Sequence, residues 1–215
     1  IGTWAMLANT TGGFNTAVGY KSLDTNTTGS NNTAIGKRAL QAATTADNNT
    51  ALGYHAGFAN TTGTGNTFIG RSAGITQTTQ NSNTFAGSNS GAYSEGASNT
   101  ALGYYSMRST NGSASGGNNV AIGANSLLVV TTSSNTTCVG ANSGYSLTTG
   151  TNNVLIGSSS GYDMTTGYWN VGLGTSTLAN VTTGYSNVAI GHQVLDSVTT
   201  GYENTVIGRE SARNL

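Results

Sequence analysis

The chain has 215 residues, and Gly, Thr, Asn and Ser account for 119 of them. Its seven basic and seven acidic residues cancel, so no basic excess is present to neutralise the phosphates of a nucleic acid. A single cysteine excludes a disulfide framework and a multi-cysteine zinc site, and no apolar run reaches the ~20 residues that span a bilayer.

A five-residue motif, Asn–Thr/Val–small–aliphatic–Gly, repeats along the whole chain. It first reads NTAVG at Asn15–Gly19 and last reads NTVIG at Asn204–Gly208, and only TTCVG at Thr136–Gly140 lacks the asparagine. Ten of the twelve spacings between closing glycines are 17 residues, one is 16, and one is 20 because of extra residues around Asn111–Gly117. Such a register predicts one repeat domain over residues 1–215. Its coils end at Gly2, Gly19, Gly36, Gly53, Gly70, Gly87, Gly103, Gly123, Gly140, Gly157, Gly174, Gly191 and Gly208.

Seventeen residues are too few for helical solenoid units of ~33–47 residues or leucine-rich units of ~20–29. They suit one coil of a β-solenoid, with two strands of about five residues joined by two turns. The motif predicts the first strand, and the segment after its glycine, such as Tyr20–Leu23, predicts the second. Thr-Thr-Gly, as at Thr27–Gly29, predicts the return turn. The fold class is therefore all-β, a parallel β-solenoid of about 12–13 coils.

Stacking in register places like residues on like. The repeated asparagines then form a hydrogen-bonded ladder of side-chain amides. The closing glycine marks a backbone position with positive φ or with close approach between chains, and the conformational explanation is preferred.

Both faces of the predicted strand are apolar, which indicates that both are covered. We expect one row to form the inner core of the coil: Val18, Ile35, Leu52, Ile69, Leu102, Ile122, Ile156, Leu173, Ile190 and Ile207. The opposite row then faces outward: Ala17, Ala34, Ala51, Phe68, Phe85, Ala101, Ala121, Cys138, Leu155, Ala189 and Val206. Because a two-strand coil encloses only one face, the other face predicts contact with another chain and hence a homo-oligomer.

The motif resembles the head repeats of trimeric autotransporter adhesins. NVAIG-ANS at Asn119–Ser126 is the nearest copy, followed by NVLIG-SSS at Asn153–Ser160. The longer units at Asn15–Asn32 and Asn32–Asn49 are also similar to repeats of phage and giant-virus tail fibres. The resemblance implies a left-handed β-roll, three chains to a rod, and a location outside the cell or on a virion. The unit here is longer than that of the adhesins, and this sequence contains no neck, stalk, anchor or chaperone segment.

Residues with catalytic chemistry are few and dispersed. His55 and His192 lie about eight coils apart, and Cys138 replaces a small or aliphatic residue, which predicts a buried packing role. The acidic residues are scattered without the spacing of a carboxylate pair. We therefore expect no catalytic, metal or cofactor site and no enzyme activity. An enzyme acting on polysaccharide would need a carboxylate pair between chains, which no feature of the sequence supports.

Three tyrosines follow Thr-Thr-Gly in successive coils and predict an aromatic row. These are Tyr168, Tyr185 and Tyr202, with Trp169 beside the first. Such rings stack on sugars or fill a pocket of a partner. The alternative is that they only cover the turn and a neighbouring chain. The leading functional hypothesis is a structural segment of a trimeric extracellular fibre that acts as a rigid spacer. The alternative is an adhesin head that binds a glycan or a protein receptor through these aromatic residues. Because the chain begins and ends within a repeat, we expect a longer parent fibre or end-to-end assembly.

Overall fold

The computed structural model describes residues 1–109 and 114–212, and every regular element in those ranges is a β-strand. Twelve strands form one parallel sheet in chain order, and like positions pair, as Ala17 with Ala34. This confirms an all-β parallel solenoid with a repeat of about 17 residues and gives about eleven turns. The strands are β1 (Thr16–Val18), β2 (Thr33–Ile35), β3 (Thr50–Leu52), β4 (Thr67–Ile69), β5 (Thr84–Ala86), β6 (Thr100–Leu102), β7 (Val120–Ile122), β8 (Thr137–Val139), β9 (Val154–Ile156), β10 (Val171–Leu173), β11 (Val188–Ile190) and β12 (Thr205–Ile207).

The register continues through both irregular spacings. Thr84 pairs with Thr100 across the 16-residue coil, and Thr100 pairs with Val120 across the 20-residue coil. Of the predicted insertion at Asn111–Gly117, residues 111–113 lie outside the described residues. The described part begins at Ala114, which forms a parallel bridge with Ser94. The described residues on either side therefore keep the register of the sheet.

The prediction of a second strand after the closing glycine is wrong. That segment is a turn in which two residues adopt left-handed backbone, as at Lys21 (φ 56°) and Leu23 (φ 49°). The N–H of Ser22 donates back to the carbonyl of Gly19 at 3.3 Å, whereas the N–H of Leu23 donates to Ala39 of the next coil at 3.1 Å. Alternating positive φ prevents an extended strand but preserves hydrogen bonds between coils.

The predicted inner and outer faces of the strand are reversed. The middle residue of each strand points inward, and Ala34, Phe68 and Leu155 are completely buried. The row that begins Val18, Ile35 and Leu52, predicted as the core, is instead on the outer face, where every member is exposed or partly exposed.

The interior is narrow, which explains this reversal. The inward residue of a strand lies near the fourth residue after the closing glycine, and no more than one of the two is large. Ala34 is accompanied by the buried Leu40, whereas Phe85 is accompanied by Gly91. A methyl group added at Gly91 would overlap the Phe85 ring. A large aliphatic residue pointing inward from every strand would therefore collide with leucines of the return segment.

The predicted asparagine ladder is confirmed, and its side chains also form hydrogen bonds with the backbone of the next coil. The Asn49 side chain accepts a hydrogen bond from the backbone N–H of Asn66 at 2.9 Å. Its amide donates to Asn32 Oδ1 at 3.1 Å and to the carbonyl of Gly63, on the return turn of the next coil, at 2.8 Å. Asn49 is completely buried, so each rung satisfies its polar atoms while tying the strand to the turn.

Where the asparagine is missing, another side chain replaces its contact. Thr136 has no amide, and the hydroxyl of Ser133 donates instead to the carbonyl of Gly150, the atom that an asparagine amide would reach. The Thr136 hydroxyl still accepts from the N–H of Asn153, at 3.4 Å. The ladder thus continues through β8 with substituted donors.

The closing glycines combine positive φ with close approach, and the approach is between successive coils of one chain. Gly36 has φ 135°, and a Cβ added there would lie 2.6 Å from the carbonyl carbon of Gly53. In the predicted return turns, the Thr27 hydroxyl donates to the carbonyl of Thr44 in the next coil at 3.0 Å. The same bond recurs from Thr61 to Thr78, also at 3.0 Å. The repeated glycines and threonines therefore both serve stacking.

Candidate binding surfaces

The outer face of the sheet carries a continuous apolar stripe, which we call the aliphatic column. Its members are the third residues of the twelve strands: Val18, Ile35, Leu52, Ile69, Ala86, Leu102, Ile122, Val139, Ile156, Leu173, Ile190 and Ile207. Leu52 is 46% exposed and Leu102 is 48% exposed. The neighbouring outward positions are Thr or Val, so this face carries no ionisable side chain.

The aliphatic column is long enough to form a protein interface. Seven of its twelve members are 37–67% exposed and the other five are partly exposed, so the column presents apolar surface on the order of several hundred Å², against the ~800 Å² that each partner buries in a stable complex. The largest apolar patch of a typical monomer is about 300–600 Å². The column is therefore a candidate surface for association.

The predicted aromatic row is present. Tyr168 stacks on Tyr185 with ring centroids 5.0 Å apart, and Tyr185 stacks on Tyr202 at 5.2 Å. Trp169 meets Tyr168 edge-on at 5.1 Å and is 60% exposed. The pKa of Tyr185 is raised, first by partial removal from water and then by Tyr168 and the Glu203 carboxylate. The tyrosine row thus forms a ribbon of parallel rings along the solenoid, with Tyr202 itself exposed.

A second aromatic surface was missed at the sequence level. The first residue after the closing glycine is Tyr20, Lys37, Tyr54 and Arg71 in four successive coils. Lys37 Nζ lies 6.0 Å from the centroid of the Tyr20 ring and 5.7 Å from that of Tyr54. The signal was available because these residues share one repeat position, but it is an alternation of two residue types rather than a run of one. We call these four residues the cationic edge.

The residues considered for catalysis are not brought together. Cys138 is buried, and burial raises the pKa of its thiol to about 12, only partly offset by a hydrogen bond involving Ser143. His55 packs between Tyr54 and Phe58, and burial, with the charges of Arg38 and Lys37, lowers its pKa. It follows β3, whereas the exposed His192 follows β11, eight strands and about 38 Å away at 4.8 Å per step.

The described residues contain no cluster of three or more His, Cys, Asp or Glu side chains suited to hold a metal ion. No helix among them has the length and apolarity to cross a bilayer. Searches against family models, curated proteins and solved structures returned no match to the chain. The geometry of the solenoid surfaces therefore carries the functional argument.

Proposed function

We propose that this chain is a structural segment of a trimeric extracellular fibre, a rigid shaft of a viral tail fibre or a cell-surface adhesin. The observation that supports it is the aliphatic column. An apolar stripe along a whole solenoid favours association with water-excluding contacts. Like residues are stacked at every level, so another copy presents a surface of the same length and spacing.

Three copies are proposed because of the resemblance of the repeat to trimeric adhesin heads. Copies related by an axis parallel to the solenoid would bring their aliphatic columns together around that axis at every coil. The same resemblance supports a location on a cell or virion surface. The many coil-to-coil hydrogen bonds of the asparagine and threonine ladders suit a stiff spacer, since they tie each coil to the next at several points.

Charged substitutions in the aliphatic column test the proposal. Leu52→Lys with Leu102→Lys places ammonium groups within the proposed interface, so we expect the chain to become monomeric in sedimentation experiments. The strand backbone is unchanged and both side chains point outward, so the circular dichroism spectrum should be retained. Thr62→Lys with Thr132→Lys is the matched control, because both threonines are exposed on return turns. Unchanged mass in the leucine variant, or equal dissociation of the control, would contradict the proposed interface.

A binding function through the tyrosine row is the second candidate. It is favoured by the row of Tyr168, Tyr185 and Tyr202, of which Tyr202 is 58% exposed, and by the 60% exposed Trp169 beside it, since exposed aromatic rings bind sugars or partner side chains. A glycan array probed with the wild-type chain and with all three changed to Ala tests this function. We expect the triple variant to lose bound glycans, while Tyr145→Ala with Tyr162→Ala, which removes another stacked pair, retains them. Equal binding by the wild-type chain and the triple variant would refute the site.

We also propose that the chain has no catalytic activity. The burial and raised pKa of Cys138, together with the separation of the two histidines, support a non-catalytic chain. Incubation with capsule-type polysaccharides, followed by assay of new reducing ends, tests it. Turnover that scales with protein concentration would contradict a purely structural role.

A further inference from the structure

The cationic edge alternates aromatic and basic residues in four successive coils. Tyr20 is 37% exposed and Tyr54 is 44% exposed, and the side chains of Lys37 and Arg71 are also exposed. Because successive coils are about 4.8 Å apart, the rings recur at about 10 Å along the solenoid, and so do the charges. Tyr104 continues the aromatic series two coils beyond Arg71.

The neighbouring repeat position adds further positive charge. Lys21 and Arg38 are the second residues after their closing glycines. No carboxylate occupies either the first or the second position from Thr3 to Tyr105. Asp24 lies 3.8 Å from Lys21, whereas no described carboxylate is within 4.0 Å of the other three cations. The first and second repeat positions between Tyr20 and Ser72 therefore carry four cations, and only Lys21 is paired with a described carboxylate.

Two polar atoms beside this edge have no partner within the protein. Arg38 Nε and His55 Nε2 are shielded from solvent yet make no hydrogen bond. His55 stacks directly on Tyr54, with ring centroids 3.9 Å apart, so its unsatisfied nitrogen lies next to an exposed ring. Both atoms are buried beneath the edge, so the groups that a ligand could reach are the exposed side chains of Lys37, Arg71, Tyr20 and Tyr54.

We propose that the cationic edge binds an extended acidic polysaccharide in which neutral and acidic sugars alternate. The sugars lie along the solenoid, one ring per coil, with neutral sugars beside Tyr20 and Tyr54 and acidic groups on Lys37 and Arg71. A guanidinium binds a carboxylate or sulfate through two parallel hydrogen bonds. His55 stacks on Tyr54 and Lys37 Nζ lies over both tyrosine rings, so the exposed ring edges and phenolic hydroxyl groups contact the neutral sugars. The recurrence of about 10 Å for each residue type matches a disaccharide repeat that carries one charge.

A nucleic acid fits this edge less well. It carries a phosphate on every nucleotide and derives its affinity from the neutralisation of many phosphates, whereas the cationic edge places cations in alternate coils of a neutral chain. The proposal does not depend on the number of chains in the assembly, because all four residues belong to one chain.

The test measures binding to immobilised hyaluronan, a polymer of alternating neutral and acidic sugars, at low and high salt. We expect binding at low salt that weakens as salt is raised, with no comparable binding to neutral dextran. Lys37→Gln with Arg71→Gln, and separately Tyr20→Ala with Tyr54→Ala, should each weaken binding about tenfold, the effect of losing two charged or two tyrosine contacts. Arg209→Gln, at an exposed cation of the last described coil, should change the affinity less than about twofold.

Four outcomes would overturn the inference. These are no binding at low salt, equal binding to dextran, tighter binding to duplex DNA of the same length, or equal losses in the control and the edge variants. The mass of every variant is measured in the same buffer. A variant that keeps the wild-type mass but loses hyaluronan isolates the edge. A monomeric wild-type chain that still binds would refute the proposed assembly and leave the edge supported.

Discussion

Phe85 and Gly91 test whether the inward residue of a strand and the fourth residue after the closing glycine share one space in the interior. Phe85 is completely buried, so Phe85→Ala removes a core ring and should lower the free energy of unfolding by about 3–5 kcal/mol. Gly91 has φ 59°, and Gly91→Ala adds a methyl group that overlaps the Phe85 ring. Overpacking should cost about 1–3 kcal/mol, and the left-handed backbone about 1 kcal/mol more.

The two substitutions should be strongly coupled. In the Phe85→Ala background the overlap is absent, so Gly91→Ala should cost only the backbone term of about 1 kcal/mol, a favourable coupling of about 1–3 kcal/mol. Urea unfolding followed by far-ultraviolet circular dichroism gives the four free energies of the cycle. Phe85→Ala with Gly91→Leu rebuilds the combination found at Ala34 and Leu40, and should recover about 1–3 kcal/mol of the Phe85→Ala loss.

The control pairs Gly91→Ala with Leu155→Ala. Leu155 is inward on β9, four strands from β5, so its effect should add to that of Gly91→Ala within about 0.5 kcal/mol. The same additivity between Gly91→Ala and Phe85→Ala would refute the reasoning, because it would mean that the two positions do not share one space.

The remaining predictions concern buried polar atoms and the thiol. Asn49→Ala removes hydrogen bonds to two backbone groups of the next coil and should lower the free energy of unfolding in urea by about 2–4 kcal/mol. Ser133→Ala should lower the free energy of unfolding by about 1 kcal/mol in the native chain. In a Thr136→Asn background the loss should be smaller, because the new amide donates to the same carbonyl of Gly150. Equal losses in the two backgrounds would contradict the view that Ser133 replaces the missing asparagine. The pKa of Cys138 is about 12 when folded and about 9 when unfolded, so the stability due to its protonated thiol is present below pH 9 and is lost as pH rises toward 12. The loss should be about 1.4 kcal/mol per pH unit in that window, and the slope measured by urea unfolding should be smaller in Cys138→Ala.

The repeat register could be predicted from the sequence because it depends on single residues with strong local requirements. An asparagine that pairs with its copy and a glycine with positive φ must recur at one position in every coil, as Asn49 and Gly53 do. These residues fixed the first strands, the sheet order and the ladder correctly. The tyrosine row followed from the same register, since Tyr168 and Tyr185 are one repeat apart.

Which face of the strand points inward could not be predicted from the alternation of residues along it. Period-two alternation separates two faces of a strand, but both faces here are apolar, so hydrophobicity does not choose between them. The choice depends on the volume contributed by the return segment, where Leu40 already fills the space beside Ala34. Pairing each strand with the fourth residue after its glycine would have revealed this, because the small and large residues are complementary at Phe85 and Gly91.

The prediction of a second strand failed because residues other than Gly and Asn adopt left-handed backbone here, and their types do not indicate it. Lys21 and Leu23 both have positive φ although neither is a residue type that favours it. Their conformation is imposed by stacking, since each coil supports the same turn in the next through backbone hydrogen bonds. The cationic edge was not predicted for a related reason. It is formed by contacts between residues of different coils, such as those of Lys37 with the rings of Tyr20 and Tyr54.

The mass of the wild-type chain in solution tests the proposed fibre segment most directly. Sedimentation equilibrium at micromolar concentration should give about three times the 21.6 kDa of one chain, because burial of the aliphatic column favours assembly. A single species of 21.6 kDa with a folded β spectrum would contradict the trimer, and would show that the exposed column is stable in water without a second copy.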